Sequence, residues 1–234
     1  MKKSIFFVLI ALVSLLAFAS CGKRADGELY LVKQTYTDKS TAMTVEYFYN
    51  EEYKIIKQVS DTGKDSSTVS EYGYDENGYQ NYQKVVAESG LVQEVFMEND
   101  SEGRVIERKL VTNYNGNVTE TLTKIEYVDS NGSYVETSTS GMVTTYTLDE
   151  HGNFTSIKSE GLSEQTATYE NKYENGLLIE STLTTVTKTK TTKQTIKYEY
   201  DDHGNKIKSE IFNEQGDVTV TETFEYSSKP EIIK

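Results

Sequence analysis

Cys21 is the only cysteine of this 234-residue chain, so it carries the one thiol that could receive a covalent group. Lys2 and Lys3 precede a nearly unbroken apolar stretch from Ile5 to Ala19, and small residues then lead into the cysteine. A charged start, an apolar middle and a small-residue junction are the layout of a cleaved secretory signal. We therefore expect residues 1–20 to be removed on export.

This junction resembles the signal of bacterial lipoproteins, although Phe18 stands where a leucine is usual. The resemblance implies that Cys21 is acylated and becomes the first residue of the mature chain, with 21–28 as a short tether. An uncleaved membrane helix would need ~20 apolar residues, which is more than this stretch provides. A lipid-anchored protein is expected at the outer membrane of a two-membrane bacterium, or otherwise at the outer face of the cell membrane.

Other residues with catalytic or metal-binding chemistry form no recognisable set. The two histidines, His151 and His203, occupy matching positions just before a glycine. They could share a metal, but two ligands make an incomplete site, and exposed turn residues are the simpler interpretation. The 37 acidic residues show no calcium-loop pattern and make chance pairs inevitable. We predict no catalytic residues, no metal site, no cofactor and a protein that is not an enzyme.

Tyrosine is the most promising residue type for binding, since 18 are present and tryptophan is absent. Tyrosine combines a large rigid contact area with a hydroxyl that can form hydrogen bonds. Most of the tyrosines fall near one recurring kind of turn, together with Phe96, Tyr146, Tyr173 and Phe224. The predicted binding band for a glycan or an extended polypeptide consists of Tyr47, Tyr49, Tyr72, Tyr74, Tyr127, Tyr198, Tyr200 and Tyr226. Packing at the end of a sheet is the alternative explanation.

The elements that would position these tyrosines are short repeated hairpins. One or two aromatic residues, an Asp or Asn, two polar residues and a glycine recur, as in Tyr74-Asp75-Glu76-Asn77-Gly78 and Tyr200-Asp201-Asp202-His203-Gly204. Asp or Asn bonds the backbone two residues on, and glycine supplies the positive φ that ends the turn. Copies recur about every 25 residues, and a second set of turns lies between them. Asn50 begins a degenerate copy without the glycine.

Between the turns, apolar and polar residues alternate as in a sheet that is wetted on one face. Ile196, Tyr198 and Tyr200 share one face, and Ile207 and Ile211 are expected to oppose Lys206. We predict an all-β antiparallel meander of about fifteen strands, as a flattened barrel, a sandwich or a curved sheet. The domain spans 29–228, with a tail over 229–234. The lysine-rich stretch 187–193 is expected to be a solvated hairpin tip or edge.

The repeats resemble the YD-repeat family, whose Tyr-Asp-x-x-Gly-Asn units occur in large exported bacterial proteins that include Rhs shells. The resemblance covers about 44–226, and Asn follows Gly only at Asn117, Asn153 and Asn205. It implies β-hairpins in a curved sheet, but this chain is too short to form such a shell. The chain more closely resembles small bacterial lipoproteins of unknown role that contain similar short repeats.

The net charge of the chain and the residue pattern of its strands argue against two classes of function. The formal net charge of −13 argues against nucleic acid, whose partners need a basic face. A membrane-spanning barrel is disfavoured because Glu120, Lys124 and Glu126 share one strand face. We predict a non-catalytic envelope lipoprotein, a β-sheet module that binds a glycan or a protein partner. The alternatives are an envelope hydrolase that uses carboxylates in a tyrosine-lined groove, and an immunity or inhibitor-type partner.

Overall fold

A computed structural model describes residues 29–63, 67–128, 132–161 and 164–233. Cys21, the signal and the tether lie outside these residues. Sixteen strands follow in chain order: β1 Tyr30–Asp38, β2 Ala42–Tyr49, β3 Ile55–Asp61, β4 Ser67–Tyr74, β5 Gln80–Ala87, β6 Leu91–Asn99, β7 Val105–Tyr114, β8 Asn117–Tyr127, β9 Tyr134–Ser138, β10 Val143–Leu148, β11 Phe154–Glu160, β12 Gln165–Glu174, β13 Leu177–Thr187, β14 Thr191–Tyr200, β15 Lys206–Phe212 and β16 Val218–Ser227.

The strands form one closed antiparallel barrel. Each strand pairs with its neighbours in sequence, and β1 pairs with β16 to complete the ring. The prediction of an all-β antiparallel meander is confirmed, with one strand more than expected, and a barrel is the form it takes. Closure leaves no sheet edge along the seam between the first and last strands.

The recurring turns form as predicted. In the β4–β5 turn, Oδ1 of Asp75 accepts hydrogen bonds from the N–H groups of Asn77 and Tyr79, each at 2.9 Å. Gly78 ends this turn with φ of 82°. In the degenerate copy that Asn50 begins, Tyr53 adopts the positive φ, 59°, in the place of glycine. The lysine-rich stretch is also a hairpin tip, because β13 ends at Thr187 and β14 begins at Thr191.

β-Bulges lie beside most of these turns and change which side chains point inwards. Between β14 and β15, Glu199 pairs with Lys208, but Tyr200 pairs with Lys206, so the register shifts by one residue. The expected alternation at the start of β15 is therefore wrong: Lys206 shares the face of Tyr200, and Ile207 is exposed. A bulge also increases the local twist and bend, which helps a sheet to close.

Buried residues mark the inner face of the barrel. The best-packed region joins β1, β2 and β16, where Leu31, Val45, Tyr47, Tyr49 and Phe224 form a buried cluster. The opposite face carries exposed ion pairs, among them Lys33–Glu225, Lys109–Glu120 and Lys208–Glu199. The strand alternation predicted this arrangement, with most aromatic residues inside and most charged residues outside.

Both termini of the described chain lie at one end of the barrel. β1 begins there, at the end that also carries the Asp75 and Asp201 turns. After β16 the tail returns to β2, where the Tyr49 N–H donates to the Glu231 carbonyl and the Ile233 N–H donates to the Tyr49 carbonyl. We call this the tyrosine end and the other the far end. The described ranges contain no helix with the length and apolar character required to cross a bilayer.

Candidate binding face inside the barrel

All eight tyrosines of the predicted band face the interior. Cross-strand pairing places Tyr47 beside Gln58, Tyr72 beside Gln83 and Tyr198 beside the buried Ser209, and the others share these faces. The alternation of the sequence therefore located these side chains correctly. Whether they bind a ligand depends on what their hydroxyls already contact.

Five of these hydroxyls donate hydrogen bonds to backbone carbonyls of a neighbouring strand. Each tyrosine is the last inward residue before the tyrosine end, and each acceptor is the first or second residue of the preceding strand. The bonds are Tyr49–Leu31 at 2.7 Å, Tyr74–Ile55 at 2.7 Å, Tyr127–Val105 at 3.4 Å, Tyr200–Leu178 at 2.8 Å and Tyr226–Lys206 at 2.9 Å. Asn99 makes the equivalent bond to the Gln80 carbonyl in the third repeat. The recurrence of tyrosine thus has a structural cause, since these hydroxyls hold neighbouring repeats together.

Tyr47 and Tyr72 use their hydroxyls in a second way. Each donates to a glutamine side chain on the preceding strand, Tyr47 to Gln34 and Tyr72 to Gln58. Burial raises the pKa of Tyr72 to about 12 and raises that of Tyr47 further. These phenols therefore remain neutral donors throughout the physiological pH range.

An aromatic belt crosses five consecutive strands from β8 to β12. We define the inner belt as Tyr127, Tyr134, Tyr146, Phe154 and Tyr169. Ring centroids of successive members are separated by 5.6, 4.4, 5.8 and 6.3 Å. Strands spaced ~4.8 Å apart give this belt a length of roughly 20 Å along the wall. Of its members, the predicted band included only Tyr127. Tyr134, Phe154 and Tyr169 were missed, although extending the period-two alternation across each turn would have found them.

Charged groups lie beside the belt. Arg108 on β7 reaches past β8 to Glu136 on β9, with 3.0 Å between Nη2 and Oε1. Tyr146 donates to the other oxygen of Glu136 at 3.3 Å, and burial raises the pKa of Tyr146 to about 12. The Tyr134 hydroxyl is buried and has no hydrogen-bond partner among the described residues. The belt thus combines aromatic faces, a paired charge and a buried hydroxyl without a hydrogen-bond partner among the described residues.

Lys206 lies on the same inner wall, nearer the seam of the barrel. Its Nζ lies 4.4 Å from the centroid of the Phe224 ring and 5.8 Å from that of Tyr198. Burial lowers its pKa, and the nearby Glu222 carboxylate opposes that shift. Glu222 itself accepts a hydrogen bond from Ser209 at 2.6 Å. Glu136 and Glu222 are thus inner carboxylates that already have partners.

The two histidines lie in their predicted turns, and their backbone N–H groups donate to Asp149 and Asp201. The His151 ring packs on Tyr173, with 4.3 Å between centroids. Tyr173 donates to Asp149, and Asn171 donates to the same carboxylate at 3.0 Å. Burial alone would raise the pKa of Asp149, but these hydrogen bonds hold it below its ordinary value. No cluster of three or more potential metal ligands occurs in the described ranges.

Phe96 does not belong to the inner face, although the sequence placed it with the other aromatic residues. It pairs with Tyr82 on the outside of the barrel, where the two rings are 5.3 Å apart and Phe96 is 45% exposed. The reason is its position in β6: Val95 and Met97 take the inward places, so the residue between them must point outwards.

Comparison with known proteins identifies the fold but no family. No family model and no curated protein matches the chain. Among solved structures, the chain is similar to a porin-like protein from Bacteroides uniformis, with a TM-score of 0.50 and 11% identity over 84% of this chain and 98% of that one. A porin-like protein from Bacteroides vulgatus has a TM-score of 0.47 and 11% identity over 86% of this chain and 100% of that one. At such identity, the first likeness supports a common barrel fold alone.

Proposed function

We propose that this protein is a non-catalytic lipoprotein of the bacterial cell envelope whose barrel binds a glycan along its inner wall. The observation that carries the proposal is the inner belt: five aromatic rings in succession along the inner wall, beside the Arg108–Glu136 pair. Sugar rings offer apolar C–H faces for stacking and hydroxyls for hydrogen bonding, and tyrosine complements both.

The charge of the outer face supports a lipid anchor as the contact with the membrane. Glu120, Lys124 and Glu126 are exposed on one face of β8, and ion pairs such as Lys172–Glu180 lie on the outside of other strands. Charged side chains facing lipid cost about 2–4 kcal/mol each for Lys or Arg near the centre of a bilayer. A barrel held beside the membrane by acyl chains on Cys21 avoids that cost.

The pairing of the inner carboxylates supports a binding role over hydrolysis. A glycosidase requires two carboxyl groups that flank the scissile bond, one of them with a raised pKa. Glu136 is paired with Arg108 and Glu222 accepts a hydrogen bond from Ser209. Both carboxylates are thus held by protein partners on the inner wall, which suits a structural or recognition role better than that of a general acid.

Affinity electrophoresis tests this function. The protein is run through gels that contain neutral, acidic or amino-sugar polysaccharides, and its retardation is compared with that of two variants. Tyr146→Leu interrupts the belt, whereas Tyr82→Leu removes a tyrosine from the outer face as a matched control. We expect at least one polysaccharide to retard the wild type and the control but not Tyr146→Leu. Equal retardation of all three proteins, or of none, would contradict binding at the belt.

A further inference from the structure

The β7–β8 hairpin projects beyond its neighbour at the far end of the barrel. β8 pairs with β7 from Asn117 to Lys124, but with β9 only from Thr123 to Tyr127. One further bond joins the Thr139 N–H to the Leu122 carbonyl, at 2.8 Å, and the chain then turns away towards β10. Within the described ranges, no strand pairs with the remaining edge of β8, residues 117–121. The strands therefore close into a ring, but the edge of β8 over residues 117–121 is left unpaired by the described strands at the far end. We call this gap the notch.

The hydrogen-bonding groups of this edge follow from the turn. Asn115 and Gly116 have φ of 52° and 83°, the left-handed pair of a two-residue type I′ hairpin. Tyr114 and Asn117 therefore exchange hydrogen bonds, and alternate residues from Asn117 onwards bond to β7. Val118 and Glu120 direct their N–H and C=O groups the other way. Leu122 continues the pattern, because its N–H and C=O both bond to Thr139.

A groove accompanies the open edge. A cavity of about 340 Å³ is lined by Lys109, Glu120, Thr121, Leu122 and Thr139. Val118, Glu120 and Leu122 alternate along the outer face of β8, and Val118 is 57% exposed. An added strand over residues 117–121 would therefore meet an apolar side chain, Val118, and an acidic one, Glu120, at successive outward positions, because Thr139 already occupies the edge at Leu122.

We propose that this edge binds an extended polypeptide that adds as a strand where β9 ends, with a Lys or Arg opposite Glu120 and an apolar residue two positions away, opposite Val118. Main-chain hydrogen bonds to Val118 and Glu120 provide affinity, and the alternating side chains provide specificity. A second copy of this chain is a poorer occupant, because antiparallel pairing of two such edges sets Glu120 against Val118 or against another Glu120. The notch lies at the end opposite to the start of β1, so a tether would leave it pointing away from the membrane.

The probe is a fluorescein-labelled, end-capped peptide of sequence TVTKTVT, and its fluorescence anisotropy is measured against the full chain in a non-ionic detergent. We expect saturable binding that weakens at least tenfold in Val118→Pro. Proline removes an N–H that bonds to no strand of the barrel, so the β7–β8 pairing survives. Val118→Thr keeps the N–H and serves as the matched control, with retained affinity. Circular dichroism confirms that all variants are folded.

Charge reversal tests the register. Glu120→Lys should weaken TVTKTVT at least tenfold, and the peptide TVTETVT should bind that variant better than the wild type. Absence of binding to the wild type, or equal affinity for Val118→Pro, would overturn the proposal. A dimer in sedimentation that Val118→Pro dissociates would instead identify a second copy as the occupant and overturn the choice of peptide. Glycan retardation uses the opposite face of the wall, so the two proposals fail separately.

Discussion

The hydroxyl of Tyr200 donates to the backbone carbonyl of Leu178 at 2.8 Å and thereby joins the end of β14 to the start of β13. Tyr198, two residues earlier on the same inner face, makes ring contacts with Lys206 but has no hydroxyl hydrogen bond in the described structure. The two tyrosines share burial and differ in this one bond, so they form a natural pair for measuring its strength.

Tyr200→Phe should lower the free energy of unfolding by about 1–2 kcal/mol, because it leaves a partly buried carbonyl without its donor. Tyr198→Phe should change it by less than about 0.5 kcal/mol. The midpoints of urea unfolding, at constant slope, measure both effects. Equal losses would show that the hydroxyl–carbonyl bond contributes nothing specific.

Two glycines in turns allow the cost of backbone strain to be measured separately from the cost of a steric contact. Gly103 and Gly152 have nearly the same φ, 80° and 78°, but a Cβ at Gly103 would lie 2.4 Å from the Tyr79 ring, whereas nothing lies within 4 Å at Gly152. Gly152→Ala should cost about 1–2 kcal/mol through its left-handed backbone. Gly103→Ala should cost more, since Tyr79 must also move. Thermal unfolding of the two variants compares them, and an identical loss would show that Tyr79 moves aside freely.

Arg108 and Lys109 are adjacent in sequence but lie on opposite faces of the wall. Arg108 pairs with Glu136, whose side chain is 12% exposed, whereas Lys109 pairs with Glu120, which is 57% exposed. Arg108→Ala leaves an inner carboxylate with only the Tyr146 hydroxyl as its partner, and should cost about 1–3 kcal/mol, below the full penalty for a wholly buried pair. Lys109→Ala should cost at most about 1 kcal/mol. Urea unfolding in low and in high salt measures which variant loses more stability. Only the stability loss of Lys109→Ala should become smaller in high salt.

The buried tyrosines should make the barrel sensitive to alkali. Burial raises the pKa of Tyr72 and Tyr146 to about 12 each in the folded chain. A raised folded pKa means that the neutral phenol is favoured by folding. This stabilisation is complete below pH ~10, the pKa of an unfolded tyrosine, and is lost as the pH rises from 10 towards 12. Absorbance at 295 nm, followed together with circular dichroism, should show these tyrosines ionising only as the barrel unfolds. Their ionisation in a barrel that stays folded would contradict this.

The predicted acylation of Cys21 can be tested directly in cells. Metabolic labelling with a clickable fatty acid should tag the wild type, which should require detergent for extraction. Cys21→Ala should lose the label and the membrane retention and should keep its fold, because every described strand begins at Tyr30 or later. A Cys21→Ala protein that remains in the membrane fraction would instead indicate that the apolar segment itself is the anchor.

Local chemistry within the sequence determined the strands and their turns. Asp75 and Gly78 define a turn through hydrogen bonds and a positive φ that involve only a few residues, so their pattern can be read directly. The period-two alternation similarly located Tyr47, Tyr198 and Tyr200 on one face. The lipoprotein-like junction at Cys21 is also a local pattern, and it remains a prediction.

Tertiary structure decided what depends on register between distant strands. The bulge at the start of β15, opposite Tyr200, turned Lys206 inwards and Ile207 outwards, against their hydropathy, because one extra residue in a strand reverses the alternation on its far side. Register between strands also decided three other features: the closure of β1 on β16, the five-ring belt and the open edge at Val118. Each depends on where one strand ends relative to another, and no single stretch of sequence encodes that relation.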